Sequence, residues 1–144
     1  MSTMPQIAFH TNVRDKNDYI CRLIRKANAS ACRIVVLHDN AEQCHQLDEA
    51  LWTFSDVSFL PHVFADDIHA EQTPIILAHV ENKQFPHHEL LINLSQTVPT
   101  TTAQFERVIE IVSQEDVDKQ AGRLRYKQYQ QLGFSPSHIE VKSA

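Results

Sequence analysis

The chain has 144 residues, a hydrophobic content of 42% and a formal net charge of -5. This size predicts one globular domain, residues 1–144, and no run approaches the roughly 18 apolar residues that a membrane-spanning helix needs. The three cysteines are widely spaced, which argues against a disulfide framework and a C-x-x-C site. Because the N-terminus also lacks the regions of a signal peptide, we expect a cytoplasmic protein.

Strand and helix patterns alternate from the N-terminus. The apolar run Gln6 to His10 is typical of a strand, and the polar stretch Thr11 to Lys16 is turn-like. Apolar residues at helical spacing predict an amphipathic helix over Asp18 to Ala29. The β-branched run Ala31 to Leu37 predicts a central strand covered on both faces, and a second helix starts near Ala41.

The second helix has a cap and an apolar side. Asp39 or Asn40 can accept a hydrogen bond from its first amides. The residues predicted on its apolar side are Cys44, Leu47, Leu51 and Trp52. We therefore expect Trp52 in the core or at an interface rather than at a cofactor site.

The rest of the chain continues the alternation. Further strands are predicted at Ile75 to His79 and Leu90 to Leu94, and one helical turn at Thr100 to Phe105. Four of the six residues from Arg107 to Val112 are Val or Ile, which favours a strand over a helix end. A last helix is predicted from about Gln114 to Leu132. The pattern is typical of an α/β fold with an open, mostly parallel sheet and helices on both faces.

Such Rossmann-like sheets usually bind nucleotides at the carboxyl ends of their strands. Phosphate-binding loops need glycines, because backbone amides must approach the phosphates closely. This chain has only Gly122 and Gly133. No nucleotide-binding loop can be written on it, and we expect no nucleotide cofactor.

The last helix carries a cluster of bases on an acidic protein, and no acid lies between Lys119 and Phe134. At about 100° per residue, the stripe predicted to pack inward is Val117, Ala121, Leu124, Gln128 and Leu132. The opposite, exposed stripe is Lys119, Arg123, Tyr126, Lys127 and Gln130. Cations beside an aromatic ring suit a ligand that has both carboxylates and an apolar group. A basic helix face that is merely solvated is about as common, and spacing alone leaves both interpretations open.

The nine histidines raise the possibility of a metal site or an acid-base pair. His87 and His88 before Glu89, and His62 with His69, are the closest groupings, but none has the spacing of H-E-x-x-H. No signature of a nucleophile surrounds Cys44-His45 or any serine. We therefore predict no metal and no catalytic residues.

Four segments together resemble the chi subunit family of bacterial DNA polymerase III. They are Leu47 to Trp52 (LDEALW), Ser58 to His62 (SFLPH), Phe105 to Val112 (FERVIEIV) and Arg123 to Phe134 (RLRYKQYQQLGF). They lie in the family's order and cover about the last two thirds of the chain. The resemblance implies a nucleotide-binding-like fold that binds no nucleotide and has no catalytic activity. It also implies a clamp-loader accessory subunit that binds the acidic C-terminal tail of single-stranded DNA-binding protein.

The resemblance also implies two sets of contact residues. Those that would bind the tail are Lys119, Arg123, Tyr126 and Lys127. Phe59 and Val112 stand at the positions that would dock the small psi subunit of the clamp loader. The chain departs from the family pattern between Asp66 and Glu89, where it is short and rich in histidine.

Two alternatives stay open at this point. One is a nucleotide- or metal-dependent enzyme on the same fold. The other is direct binding of single-stranded nucleic acid through the basic helix face. That binding should be weak, because one helix face meets few phosphates and the only Lys or Arg between His38 and Leu90 is Lys83.

Overall fold

The computed structural model describes residues 4–53, 60–79 and 85–142. Its strands are β1 (Gln6–Val13), β2 (Ile34–Leu37), β3 (His62–Phe64), β4 (Ile75–Ala78), β5 (Leu90–Asn93), β6 (Arg107–Ser113) and β7 (Ser137–Glu140). The α-helices of these segments are α1 (Lys16–Ala29), α2 (Ala41–Thr53) and α3 (Asp116–Gln131). The strands form one sheet in the order β3-β4-β2-β5-β6-β1-β7, and every described pair is parallel. The predicted fold class is confirmed.

Local sequence explains where the first two helices start. Asp15 precedes α1, and its side chain accepts a hydrogen bond from the Asp18 amide at 3.1 Å. Of the two caps predicted for α2, Asn40 is the one that accepts, from the Gln43 amide at 3.1 Å. Each cap satisfies an amide that has no partner inside its helix.

The helices cover both faces of the sheet. Apolar residues of α1 and α2 pack on one face together with Ile109 and Ile111 of β6. Alternate residues of the same strand, Val108 and Val112, point to the other face, where Tyr129 of α3 packs. Because side chains alternate along a strand, β6 contributes to both cores.

The N-terminal and C-terminal strands differ from the prediction. The stretch Thr11 to Lys16 is not a turn throughout, because β1 continues to Val13. A register shift lies between His10 and Val13, and Asn12 has a φ of 64°. β7 was not predicted, and it pairs with β1, with Thr11 opposite Glu140. Pairing between distant segments therefore decides the strand content at this edge of the sheet.

The predicted burial of α3 is wrong, and of the two places expected for Trp52 the core is excluded while an interface stays a prediction. Trp52 is 54% exposed, although its ring lies 4.6 Å from that of His62. On α3, Val117, Leu124 and Leu132 are 79%, 63% and 62% exposed. The buried residues of α3 are Asp118, Gly122, Arg125 and Tyr129. The helix is thus turned by about a quarter turn from the orientation that its apolar stripe predicts.

The helices of the described segments lack the length and apolar character that a bilayer span requires.

Candidate functional site

A buried polar network holds α3 in this orientation. Arg125 Nε donates to Glu110 Oε1 at 2.9 Å, and the two side chains are 2% and 0% exposed. Glu110 Oε2 accepts from the Tyr129 hydroxyl at 2.5 Å and from Asn93 Nδ2 at 2.8 Å. Burial and the neighbouring Glu110 carboxylate raise the pKa of Tyr129, so its hydroxyl keeps the proton that it donates. A buried charge needs such partners, and they lie on the polar side of α3.

The first turn of α3 is fixed by Asp118. Its Oδ2 accepts the Ser113 amide at 2.6 Å and lies 2.9 Å from Lys16 Nζ. Burial alone would raise the pKa of Asp118, but the Ser113 amide and the Lys16 ammonium outweigh it and hold the pKa below its usual value. Lys16 lies just after the carboxyl end of β1, and Asp118 lies just after the carboxyl end of β6. Their ion pair therefore crosses the crevice between the ends of these two strands. That crevice is where ligands of such sheets usually bind.

Gly122 lets α3 lie close to the sheet. A Cβ atom at this position would stand 2.7 Å from Val112 Cγ2. The helix therefore lies directly on β6.

A pocket of about 330 Å³ lies between α3 and the β1–β7 edge of the sheet. Its lining residues are Phe9, Thr11, Asn12, Val112, Lys119, Gly122, Arg123, Tyr126, His138 and Glu140. The floor is apolar and the helix wall is cationic. This is the candidate site, and we call it the α3 pocket.

The fold brings three of the four residues predicted to bind a peptide tail to this pocket: Lys119, Arg123 and Tyr126. Lys127 is exposed on α3 but does not line it. Lys119 and Arg123 are also exposed, and neither forms an ion pair within the part of the chain that the structure describes. Their charges are available to a ligand. The neighbouring Arg125 is not, because Glu110 holds it in the core.

Tyr126 supplies an apolar wall whose position is fixed. Its hydroxyl donates to the Pro136 carbonyl at 3.0 Å. Its ring centroid lies 5.1 Å from that of Phe9, which is 2% exposed. Since the hydroxyl is already bonded, the ring is what this residue presents to the pocket.

The opposite wall comes from β7 and was missed by the sequence analysis. His138 Nε2 lies 2.5 Å from Thr11 Oγ1 on the neighbouring strand. Glu140 is the one carboxylate among the described lining residues. No local sequence signal marks these residues, because β7 is short, polar and exposed.

The two residues predicted to dock psi have different outcomes. Phe59 lies outside the described residues. Val112 is 3% exposed and forms part of the floor of the α3 pocket, against Gly122. Little of the Val112 side chain is therefore accessible to a docking protein.

Two of the histidines from the groupings in the sequence have hydrogen-bonding partners within the fold. His62 lies 2.6 Å from the Leu60 carbonyl through Nδ1 and 3.0 Å from Asp48 Oδ1 through Nε2. His87 Nε2 lies 2.5 Å from the Thr73 carbonyl. Within residues 4–53, 60–79 and 85–142, no three His, Cys, Asp or Glu side chains form a metal-binding group.

The thiol of Cys44 is a poor nucleophile. Burial, together with the charge of Asp48, raises its pKa to about 11. The reactive form of a cysteine is the thiolate, which is scarce at neutral pH when the pKa is this high.

The arrangement of the α3 pocket matches a ligand with two features. Two cations at its rim can pair with carboxylates, and an arginine can do so with two parallel hydrogen bonds. The half-buried ring of Tyr126 is the accessible part of the apolar floor and can take an apolar side chain. The C-terminal residue of a peptide has both features if its side chain is apolar, because its carboxylate and its side chain are attached to the same Cα atom.

Comparison with known proteins places the chain in a family. A model of the family described as DNA polymerase III chi subunit, HolC, matches residues 4–137. The chi subunit of Escherichia coli (strain K12) is 29% identical over 81% of this chain and 79% of its own length. That of Haemophilus influenzae is 28% identical over 84% of each chain. That of Pseudomonas aeruginosa is 32% identical over 79% of this chain and 78% of its own length. The chain therefore belongs to the DNA polymerase III chi subunit family.

Proposed function

We propose that this protein is a non-catalytic accessory subunit that binds the acidic C-terminal tail of single-stranded DNA-binding protein and links it to the clamp loader of DNA polymerase III. The α3 pocket holds the tail. Its terminal carboxylate pairs with Arg123 and Lys119, and its last side chain lies against the ring of Tyr126. The observation that carries the proposal is the juxtaposition of two unpaired cations with an apolar floor.

The two kinds of contact have different effects. Arg123 lies beside the apolar floor, where a bidentate pair with a carboxylate would slow dissociation. Lys127 is exposed outside the pocket, so it contributes to the rate of association and to the salt dependence. Direct binding of single-stranded nucleic acid through these few cations should be weak at physiological salt.

The contact with psi through Phe59 and Val112 stays a prediction. Because Val112 is 3% exposed, that contact would need α3 or the side chains around Gly122 to move. Membership of the chi subunit family supports a role for this protein within a multisubunit polymerase.

The direct test is titration calorimetry with an acidic peptide that ends in phenylalanine. Arg123→Ala should lower affinity by about tenfold or more, since a charge-assisted bidentate pair is lost. Arg25→Ala is the matched control, because Arg25 is an exposed arginine on α1, on the other face of the sheet. Equal affinities of the two variants would contradict the assignment of the site.

A pull-down tests the partner itself. Intact single-stranded DNA-binding protein should be retained by the wild-type protein, and a form that lacks its last few residues should not. Retention of the truncated form would show that the partner is held by a different surface.

A further inference from the structure

A second pocket lies on the other face of β7. Its volume is about 760 Å³, and it opens beside α1. Lining residues that matter below are Met4, Lys26, Arg107, Ser137 and Ile139. We call it the α1-side pocket.

This pocket is cationic and partly apolar. Lys26 and Arg107 are both exposed, and no Asp or Glu is among its described lining residues. Glu89 and Glu106 line an adjoining depression that shares Arg107 with it. Ile139 and Met4 are 52% and 57% exposed, so apolar surface lies beside the two cations.

One strand separates this pocket from the α3 pocket. His138 and Glu140 line the α3 pocket, whereas Ser137 and Ile139 line the α1-side pocket. Side chains alternate along a strand, so the two pockets lie back to back across β7. β7 is the last strand of the described sheet, and all four of its residues are exposed. A chain can therefore pass from one pocket to the other around a single sheet edge.

We propose that the α1-side pocket holds the acidic residues that precede the terminal residue of the peptide bound in the α3 pocket. This rests on the proposed function and extends its footprint. The peptide leaves the α3 pocket, crosses the edge of β7, and places carboxylates near Lys26 and Arg107 and an apolar side chain on Ile139. At about 3.3 Å per extended residue, roughly five residues span about 16 Å, which lets a peptide pass from one face of a strand to the other. Within the described sheet no strand pairs with the outer side of β7, so its free backbone groups can hydrogen-bond to the peptide at the point where it crosses.

The test compares two synthetic peptides that share an acidic terminus ending in phenylalanine, one of about four residues and one of about ten with further aspartates. Affinities are measured by calorimetry for the wild type and for Lys26→Ala/Arg107→Ala. The long peptide should bind the wild type more tightly, and the double variant should lose about tenfold for the long peptide only. The matched control is Arg22→Ala/Arg25→Ala, which removes two exposed charges from α1 outside both pockets.

The possible outcomes separate the two proposals. Equal binding of the two peptides to the wild type would overturn the extended footprint, and so would equal losses in the double variant and its control. The α3 pocket would still stand in both cases, provided that Arg123→Ala weakens the short peptide. Failure of both peptides to bind the wild type would overturn the proposed function itself, and the extension with it.

Discussion

The ion pair between Arg125 and Glu110 should be the strongest single determinant of how α3 lies on the sheet. Replacing Arg125 by methionine keeps the length of the side chain but removes the charge. Glu110, which is fully buried, would retain only its hydrogen bonds from Tyr129 and Asn93. Breaking one partner of a buried pair typically lowers the free energy of unfolding by about 3–5 kcal/mol, because an uncompensated charge remains in the core.

Urea denaturation measures this loss. With an m value of about 2 kcal/mol/M, a loss of about 4 kcal/mol moves the unfolding midpoint down by about 2 M. Burial already raises the pKa of Glu110 and Arg125 opposes that effect, so in Arg125→Met the carboxyl should take up a proton. The free energy of unfolding of Arg125→Met should therefore fall as pH rises above 4.5, the ordinary carboxyl pKa, and fall more steeply than that of the wild type, because the buried carboxyl must then lose its proton or unfold.

A second substitution makes the test specific. In Arg125→Met/Glu110→Gln the buried charge is gone, but an acceptor for Tyr129 remains. This double variant should regain about 2 kcal/mol relative to Arg125→Met. The prediction is wrong if the free energy of unfolding of Arg125→Met lies within about 1 kcal/mol of the wild-type value. It is also wrong if adding Glu110→Gln restores none of the lost stability.

Two further predictions concern acid stability and the charge of the α3 pocket. Burial lowers the pKa of His38 to about 4, from 6.5, and neither ring nitrogen has a hydrogen-bond partner among the described residues. The unfolded chain binds this proton below about pH 6.5, whereas the folded chain binds it only near pH 4. The free energy of unfolding therefore falls by about 3 kcal/mol as the pH falls between these two values. His38→Phe should flatten this part of the stability profile in urea melts from pH 7 to pH 4.5, and an unchanged slope would contradict the prediction. Glu140→Gln should raise affinity for an acidic peptide by about two- to fivefold at low salt, because it removes a repulsive charge from the lining. Calorimetry that shows weaker binding would mean that Glu140 faces a donor of the ligand instead.

Much of the fold could be predicted from local sequence. Apolar spacing identified α1, β-branched runs identified β2 and β6, and short apolar runs identified β4 and β5, because these elements bury apolar side chains on one or both faces. β7 carries no such pattern. It forms because β1 offers an unpaired edge, and that edge is made by a segment more than 120 residues away in the chain, as in the pair Thr11 and Glu140.

The orientation of α3 shows why apolar periodicity can mislead. Val117 and Leu124 form an apolar stripe, yet they are exposed. Arg125 and Tyr129 are buried instead, because they satisfy the carboxylate of Glu110 in the sheet below. Leaving that carboxylate unpaired would cost about 3–5 kcal/mol, which is of the same order as the gain from burying two apolar side chains of this size, so the apolar stripe alone does not set the orientation of α3.

The sequence by itself determined the α/β class, the extent of α3 and the spacing that puts Lys119, Arg123 and Tyr126 on neighbouring turns, since these depend on contacts within a few residues. Only the tertiary structure decided that Arg125 is buried, that Lys127 lies outside the pocket, and that β7 supplies the opposite wall with His138 and Glu140. The physical reason is that a pocket is made by surfaces from separate segments. Their register follows from strand pairing and from the partners of buried charges, and neither is encoded within a single window of the chain.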